Sequence, residues 1–202
     1  MKYKITKNQN SVTLLIMPAF FLSTDYLYEK YGEGEKAYSF ATGLIKGDYK
    51  AEVAPMIKDL AEKLSEVCEK KLSGEKIIFG NLFGTKDDGN YPLFSFHVDK
   101  DGNATPLVAI SCRNAGSNGK QYLFNDLAQT SPVDKETAYR NEYAIEIEIK
   151  AFYNEKTLSS SVYAIFHRGI KCGIRTDMVD FKPNDNAWAG FDIDVGDDDL
   201  PF

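Results

Sequence analysis

The run from Tyr143 to Tyr153 alternates without a break. Tyr143, Ile145, Ile147, Ile149 and Ala151 fall on one parity, and Glu146, Glu148 and Lys150 on the other. Successive side chains of an extended chain point to opposite faces, so the pattern predicts a long strand with one buried and one wet face. A strand of that length needs neighbours, and the chain supplies them. Ser11–Thr24, Tyr38–Lys46, Lys76–Phe79, Leu93–Val98, Pro106–Arg113 and Val162–Lys171 also read as strands, the first with a bend at Pro18. Turn residues separate them at Asp87-Asp88-Gly89-Asn90, at Asp101-Gly102-Asn103 and from Asn114 to Gly119.

One segment has the other period. Between Tyr49 and Leu72 the residues Val53, Met56, Ile57, Leu60, Leu64, Val67 and Cys68 recur at three- and four-residue steps, which predicts a long helix laid over the core. Pro55 sits in its first turn and Gly74 follows as a stop. The fold class is therefore mainly β with one long helix (α+β): an OB-fold-like Greek-key barrel, with an α+β sandwich as the alternative. With 202 residues, 43% of them hydrophobic, there is material for one sizeable core.

Lys2, Lys4 and Lys7 before the apolar stretch Val12 to Leu22 loosely mimic a secretory signal. Pro18 interrupts the stretch, no small-x-small site follows, and it is too short to span a bilayer, so it reads as a strand. Cys68, Cys112 and Cys172 are odd in number and widely spaced, which favours neither disulfides nor a zinc site and suits a reducing cytoplasm. The net charge of −6 is local. Residues 1–182 balance, and Asp185, Asp192, Asp194, Asp197, Asp198 and Asp199 carry the excess with no base among them. This divides the chain into a neutral body, 1–182, and a flexible acidic C-terminal tail, 183–202.

Catalytic motifs are missing: there is no Walker loop, zincin helix, nucleophile elbow or dinucleotide fingerprint. His97 and His167 lie in strand-like runs, and the tail aspartates sit on no rigid element that could fix a metal pair. No catalytic residue, metal or cofactor is assigned. What remains is a pairing of aromatics with bases. Phe94, Phe96 and His97 share a strand, Arg113, Lys120 and Tyr122 flank one loop, and Lys46 and Lys50 lead into the helix. Arg140 precedes the strand that ends in Phe152 and Tyr153, and His167, Arg168, Lys171 and Arg175 close the body. A protein that holds a single strand without reading sequence needs both kinds: aromatic faces for bases and cations for phosphates. Strand parity sends half of such a set into the core.

The most specific signal is the terminus, Asp197-Asp198-Asp199-Leu200-Pro201-Phe202. A terminal ring and carboxylate after a row of aspartates make a short linear ligand for a basic-rimmed apolar pocket. These six residues resemble the acidic tip of bacterial single-stranded DNA-binding proteins. The body resembles instead the phage single-stranded DNA-binding family of the T7 type. That resemblance lies in Tyr38-Ser39-Phe40-Ala41-Thr42-Gly43-Leu44-Ile45-Lys46 before a helix, in Asp99-Lys100-Asp101-Gly102-Asn103 with Arg113, and in Tyr143 to Tyr153 before a last strand. It implies an OB-fold with an added helix, acting on single-stranded DNA in phage replication, recombination and repair in the host bacterial cytoplasm. It also implies a tail that contacts replication proteins (polymerase, helicase or primase), and it leaves a homodimer open. Glu146 and Glu148 depart from it, making one strand face acidic. Two other classes compete: a metal-dependent nuclease, and an acidic DNA mimic or interaction protein.

Overall fold

The computed structural model describes residues 1–21, 40–67, 82–84, 92–98, 101–114, 121–154 and 159–175. In chain order the elements are strands β1 (Lys2–Lys7), β2 (Val12–Phe20) and β3 (Phe40–Lys46), helix α1 (Ala54–Val67), and strands β4 (Phe94–Val98), β5 (Ala104–Asn114), β6 (Leu123–Phe124), β7 (Asn141–Asn154) and β8 (Ser159–Ile174).

Five strands close on themselves. β2 meets β3 at Ala19↔Ile45 and Phe20↔Leu44, and β3 runs antiparallel to β5 from Phe40↔Arg113 to Lys46↔Leu107. β5 then joins β8 in parallel at Arg113↔Ile165 and Asn114↔Phe166, β8 pairs along all of β7, and β7 returns to β2 from Ala19↔Tyr143 to Val12↔Ile149. Counted as strands one to five, β2, β3, β5, β7 and β8 follow the order 1-2-3-5-4-1 with the third and fifth parallel. That is the connectivity of an OB-fold, a Greek-key barrel. β1 pairs with β2 beside the short β2–β3 contact, and β4 pairs with the first part of β5 below the β5–β8 contact. Each covers edge that the barrel leaves open.

The parity expected for β7 is the parity observed. Tyr143, Ile145, Ile147 and Ile149 enter the core with Val12, Leu14 and Ile16 of β2, while Glu146, Glu148 and Lys150 face outward. The bend expected at Pro18 coincides with a register shift between Ile16 and Ala19, where β2 leaves one neighbour for the next. Gly102, with φ of 83°, makes the turn between β4 and β5 that the sequence marks. A Cβ on Gly169 would lie 2.9 Å from Leu123 Cδ2 and 3.4 Å from Tyr143 Cβ, so a larger residue there would have to push the Leu123 side chain of β6 aside.

The helix departs from expectation at its start. Tyr49–Val53 forms a wider π-helical turn, with Val53 N–H donating to Asp48 O at 3.2 Å, and the α-helix begins at Ala54. The Asp48 carboxylate caps the turn by accepting from Ala51 N at 2.6 Å. Met56, Ile57, Leu60, Ala61 and Leu64 form the buried stripe, and α1 lies against β1, β2 and β7. The expected last turn to Leu72 and the strand Lys76–Phe79 lie outside the described residues. β1 and β6 went unforeseen. β1 alternates only briefly, Tyr3 and Ile5 against Lys2, Lys4 and Thr6, and two residues leave no period to read in β6.

Candidate nucleic-acid interface

Three rings meet where β4 runs past the barrel. Tyr49 opens the turn before α1, Phe83 bridges to Phe94, and Phe96 lies on β4. Their centroids are 5.0 Å (Tyr49–Phe83), 4.9 Å (Tyr49–Phe96) and 4.9 Å (Phe83–Phe96) apart, the last pair edge-on at 86°. Tyr49 and Phe83 pack against the core, while Phe96 is 46% exposed; of the described residues only it and Tyr3 are exposed large hydrophobics. Lys50, exposed, follows Tyr49 directly. Partial burial raises the Tyr49 phenol, so it stays neutral. Tyr49 and Phe83 were missing from the set proposed from sequence. Tyr49 sits between Lys46 and Lys50 and could have been found there, but nothing in the sequence marks Phe83.

The outer face of β7–β8 is arranged differently. Arg168 Nε donates to Glu146 Oε2 at 2.6 Å, His167 Nε2 lies 3.1 Å from Glu148 Oε2, and Lys150 Nζ lies 3.1 Å from Glu148 Oε1. Burial pulls the Glu148 carboxyl up, but hydrogen bonds from Lys150, His167 and Ser11 outweigh it and leave the group below its ordinary value. The two glutamates that looked out of place are thus taken up by their neighbours, Glu146 as the counter-ion of Arg168 and Glu148 by Lys150 and His167, and a phosphate would have to displace them. Glu146→Gln keeps the shape and removes the charge. It is expected to cost about 1–2 kcal/mol, read from urea unfolding, because Arg168 is largely buried at the pair. An unchanged midpoint would reduce the pair to a surface ornament.

The remaining residues named from sequence fall into four groups. Phe94 is wholly buried and Tyr122 is 3% exposed against Phe166, so both are core residues with no ring face to offer a base. Parity does not separate the two phenylalanines of β4: Phe94 lies opposite Ile110 in the core, whereas Phe96, two residues on and on the same face, is exposed. His97 and Arg175 are held by neighbours. Thr105 Oγ1 donates to His97 O at 3.1 Å and lies 2.9 Å from Nδ1, and the buried Arg175 guanidinium stacks 4.3 Å above the Phe20 ring. Arg140 is exposed on a short 3-10 turn, and Lys171 is half-buried opposite Tyr143. The backbones of Lys46, Arg113, Phe152 and Tyr153 sit on β3, β5 and β7, but their side chains lie outside the described part, as do Lys120 and the tip Asp197 to Phe202.

Cys112 and Cys172 are buried free thiols, both pushed up by burial and unsuited to nucleophilic work. Among the described residues no group of three or more His, Cys, Asp or Glu is placed to hold a metal, and no helix is long and apolar enough to cross a membrane. No family model matches the chain, and no curated protein matches it by sequence. Its structure is similar to that of the single-stranded DNA-binding protein from bacteriophage Enc34 in complex with ssDNA, at 15% identity and a TM-score of 0.45, covering 89% of this chain and 96% of that one. It is also similar to the C-terminal truncation of that protein, at 16% identity and a TM-score of 0.46, covering 84% and 94%.

Proposed function

We propose that the chain binds single-stranded DNA without sequence preference and without catalysis. The observation that carries this reading is the half-exposed ring of Phe96, backed by the core-packed Tyr49 and Phe83, at the rim of an OB-fold barrel, with the exposed Lys50 next to Tyr49 in the chain. Bases stack on such rings for ~1–3 kcal/mol each, and duplex DNA hides the faces that stacking needs. Lys50 and its neighbours supply the phosphate side of the contact.

The role extends, in this reading, to phage DNA replication, recombination and repair in the host cytoplasm. The body, 1–182, holds the strand, and the tail, 183–202, recruits replication proteins through Asp197, Asp198, Asp199, Leu200, Pro201 and Phe202. The terminal ring fills a pocket and the aspartates speed the encounter. The test is a salt-titrated anisotropy assay with labelled single- and double-stranded oligonucleotides of equal length. The single strand is expected to bind well above the duplex, with affinity falling steeply as salt rises. Equal binding of duplex, salt-indifferent binding, or magnesium-dependent cleavage of the probe would overturn the proposal.

A further inference from the structure

The 3-10 turn Ala138–Arg140 between β6 and β7 is held far more firmly than a surface connection requires. Its four consecutive carbonyls, from Thr137 to Arg140, all accept from the barrel side. Asn141 Nδ2 donates to Thr137 O at 3.2 Å, and the buried Tyr143 hydroxyl to Ala138 O at 2.7 Å. Arg175 completes the set twice, with Nη1 donating to Tyr139 O at 3.3 Å and its backbone N–H to Arg140 O at 3.0 Å. Arg175 in turn is clamped over Phe20. The turn is thus anchored to the start of β7, the end of β8 and the end of β2 together.

This frame presents one side-chain pair outward. Arg140 Nε donates to Tyr139 Oη at 3.0 Å, and the guanidinium carbon lies 5.4 Å from the Tyr139 ring centroid. An exposed arginine ordinarily samples many rotamers and loses that freedom on binding. Here the bond from Nε to Tyr139 Oη restrains the side chain, while the two Nη groups have no partner among the described residues. A guanidinium held this way has a donor fork already aimed at a planar pair of acceptor oxygens.

The geometry points to Arg140 as a preset clamp for a backbone phosphodiester of the bound strand, with Tyr139 as the positioning residue that holds its fork. The inference rests on the single-stranded DNA reading and adds to it a second contact, made to phosphate where the Phe96 cluster makes contact to bases. The phosphate assignment follows from chemistry. The pair offers donors in a plane and one positive charge, and the guanidinium already lies over one face of the Tyr139 ring.

The experiment measures affinity of the full chain for labelled oligo-dT across a chloride series. Arg140→Ala is expected to lower affinity roughly tenfold at low salt and to flatten the plot of log K against log salt by about 0.7, the slope of one phosphate contact on a single strand. Arg140→Lys should restore the slope but not all the affinity, and Tyr139→Phe, which deletes only Oη, should lower affinity with the slope intact. Thermal midpoints check that the variants fold. Unchanged affinity and slope in Arg140→Ala, alongside weakened binding in a Phe96 variant, overturns the clamp and leaves the reading beneath it standing. Failure of the parent chain to bind oligo-dT overturns that reading itself. Inorganic phosphate, compared with chloride at matched ionic strength, separates the two sources of the anion. Phosphate that binds through Arg140 yet leaves oligonucleotide affinity unchanged would make free phosphate the ligand and overturn the backbone assignment.

Discussion

Phe96→Ala is expected to weaken binding of single-stranded DNA by about 5- to 150-fold, the worth of one stacked base, with the salt slope unchanged. The ring makes no charged contact, so no counterion release goes with it. Its removal should barely touch stability. The side chain is 46% exposed and its partners Tyr49 and Phe83 stay packed against the core. Anisotropy titrations at several salt concentrations, with a urea melt of the same variant, check both halves. A variant that melts early and binds normally once folded would make the cluster a piece of core that happens to reach the surface, and the proposed interface would lose its main support.

Phe94→Ala should give the opposite result. This ring is fully buried in the core that α1 covers, and its deletion leaves a cavity that the surrounding barrel strands cannot collapse around. The expected loss is about 3–5 kcal/mol, a large share of the stability of an ordinary domain. Per folded molecule, DNA affinity should be unchanged. Urea unfolding gives the first number, and binding measured well below the transition gives the second. If the protein melts as before while binding collapses, Phe94 reaches the ligand and the barrel interior is not where the structure places it.

The contrast between these two residues shows how far the sequence reaches. Alternation is a local property, so β7 could be read from Tyr143 to Tyr153 with its faces assigned correctly, and the helix could be read from its stripe. The neutral body and the acid-rich end were equally open to counting. Parity alone cannot say where a strand leaves the barrel. Phe94 and Phe96 share a face, and only the tertiary packing of β4 on β5 puts one in the core and leaves the other exposed. Charge behaves in the same way. Glu146 and Glu148 looked hostile to DNA in sequence and Arg168 looked inviting. The β7–β8 register, which sets Glu146 opposite Arg168 across a distance of 22 residues in the chain, makes that pair one neutral unit, and Glu148 is held by Lys150 and His167.

What the sequence determined by itself is whatever repeats within a few residues: strand faces, the helix stripe, the turn at Gly102 and the distribution of charge. Periodicity reports on neighbours along the chain, and those features need nothing more. The closure of the barrel through the two parallel pairs of β5 and β8, the meeting of Tyr49, Phe83 and Phe96, and the four-carbonyl anchoring beneath Arg140 were decided by tertiary structure alone. Each joins residues far apart in the chain, and their meeting depends on how the whole barrel coils, which no local pattern encodes.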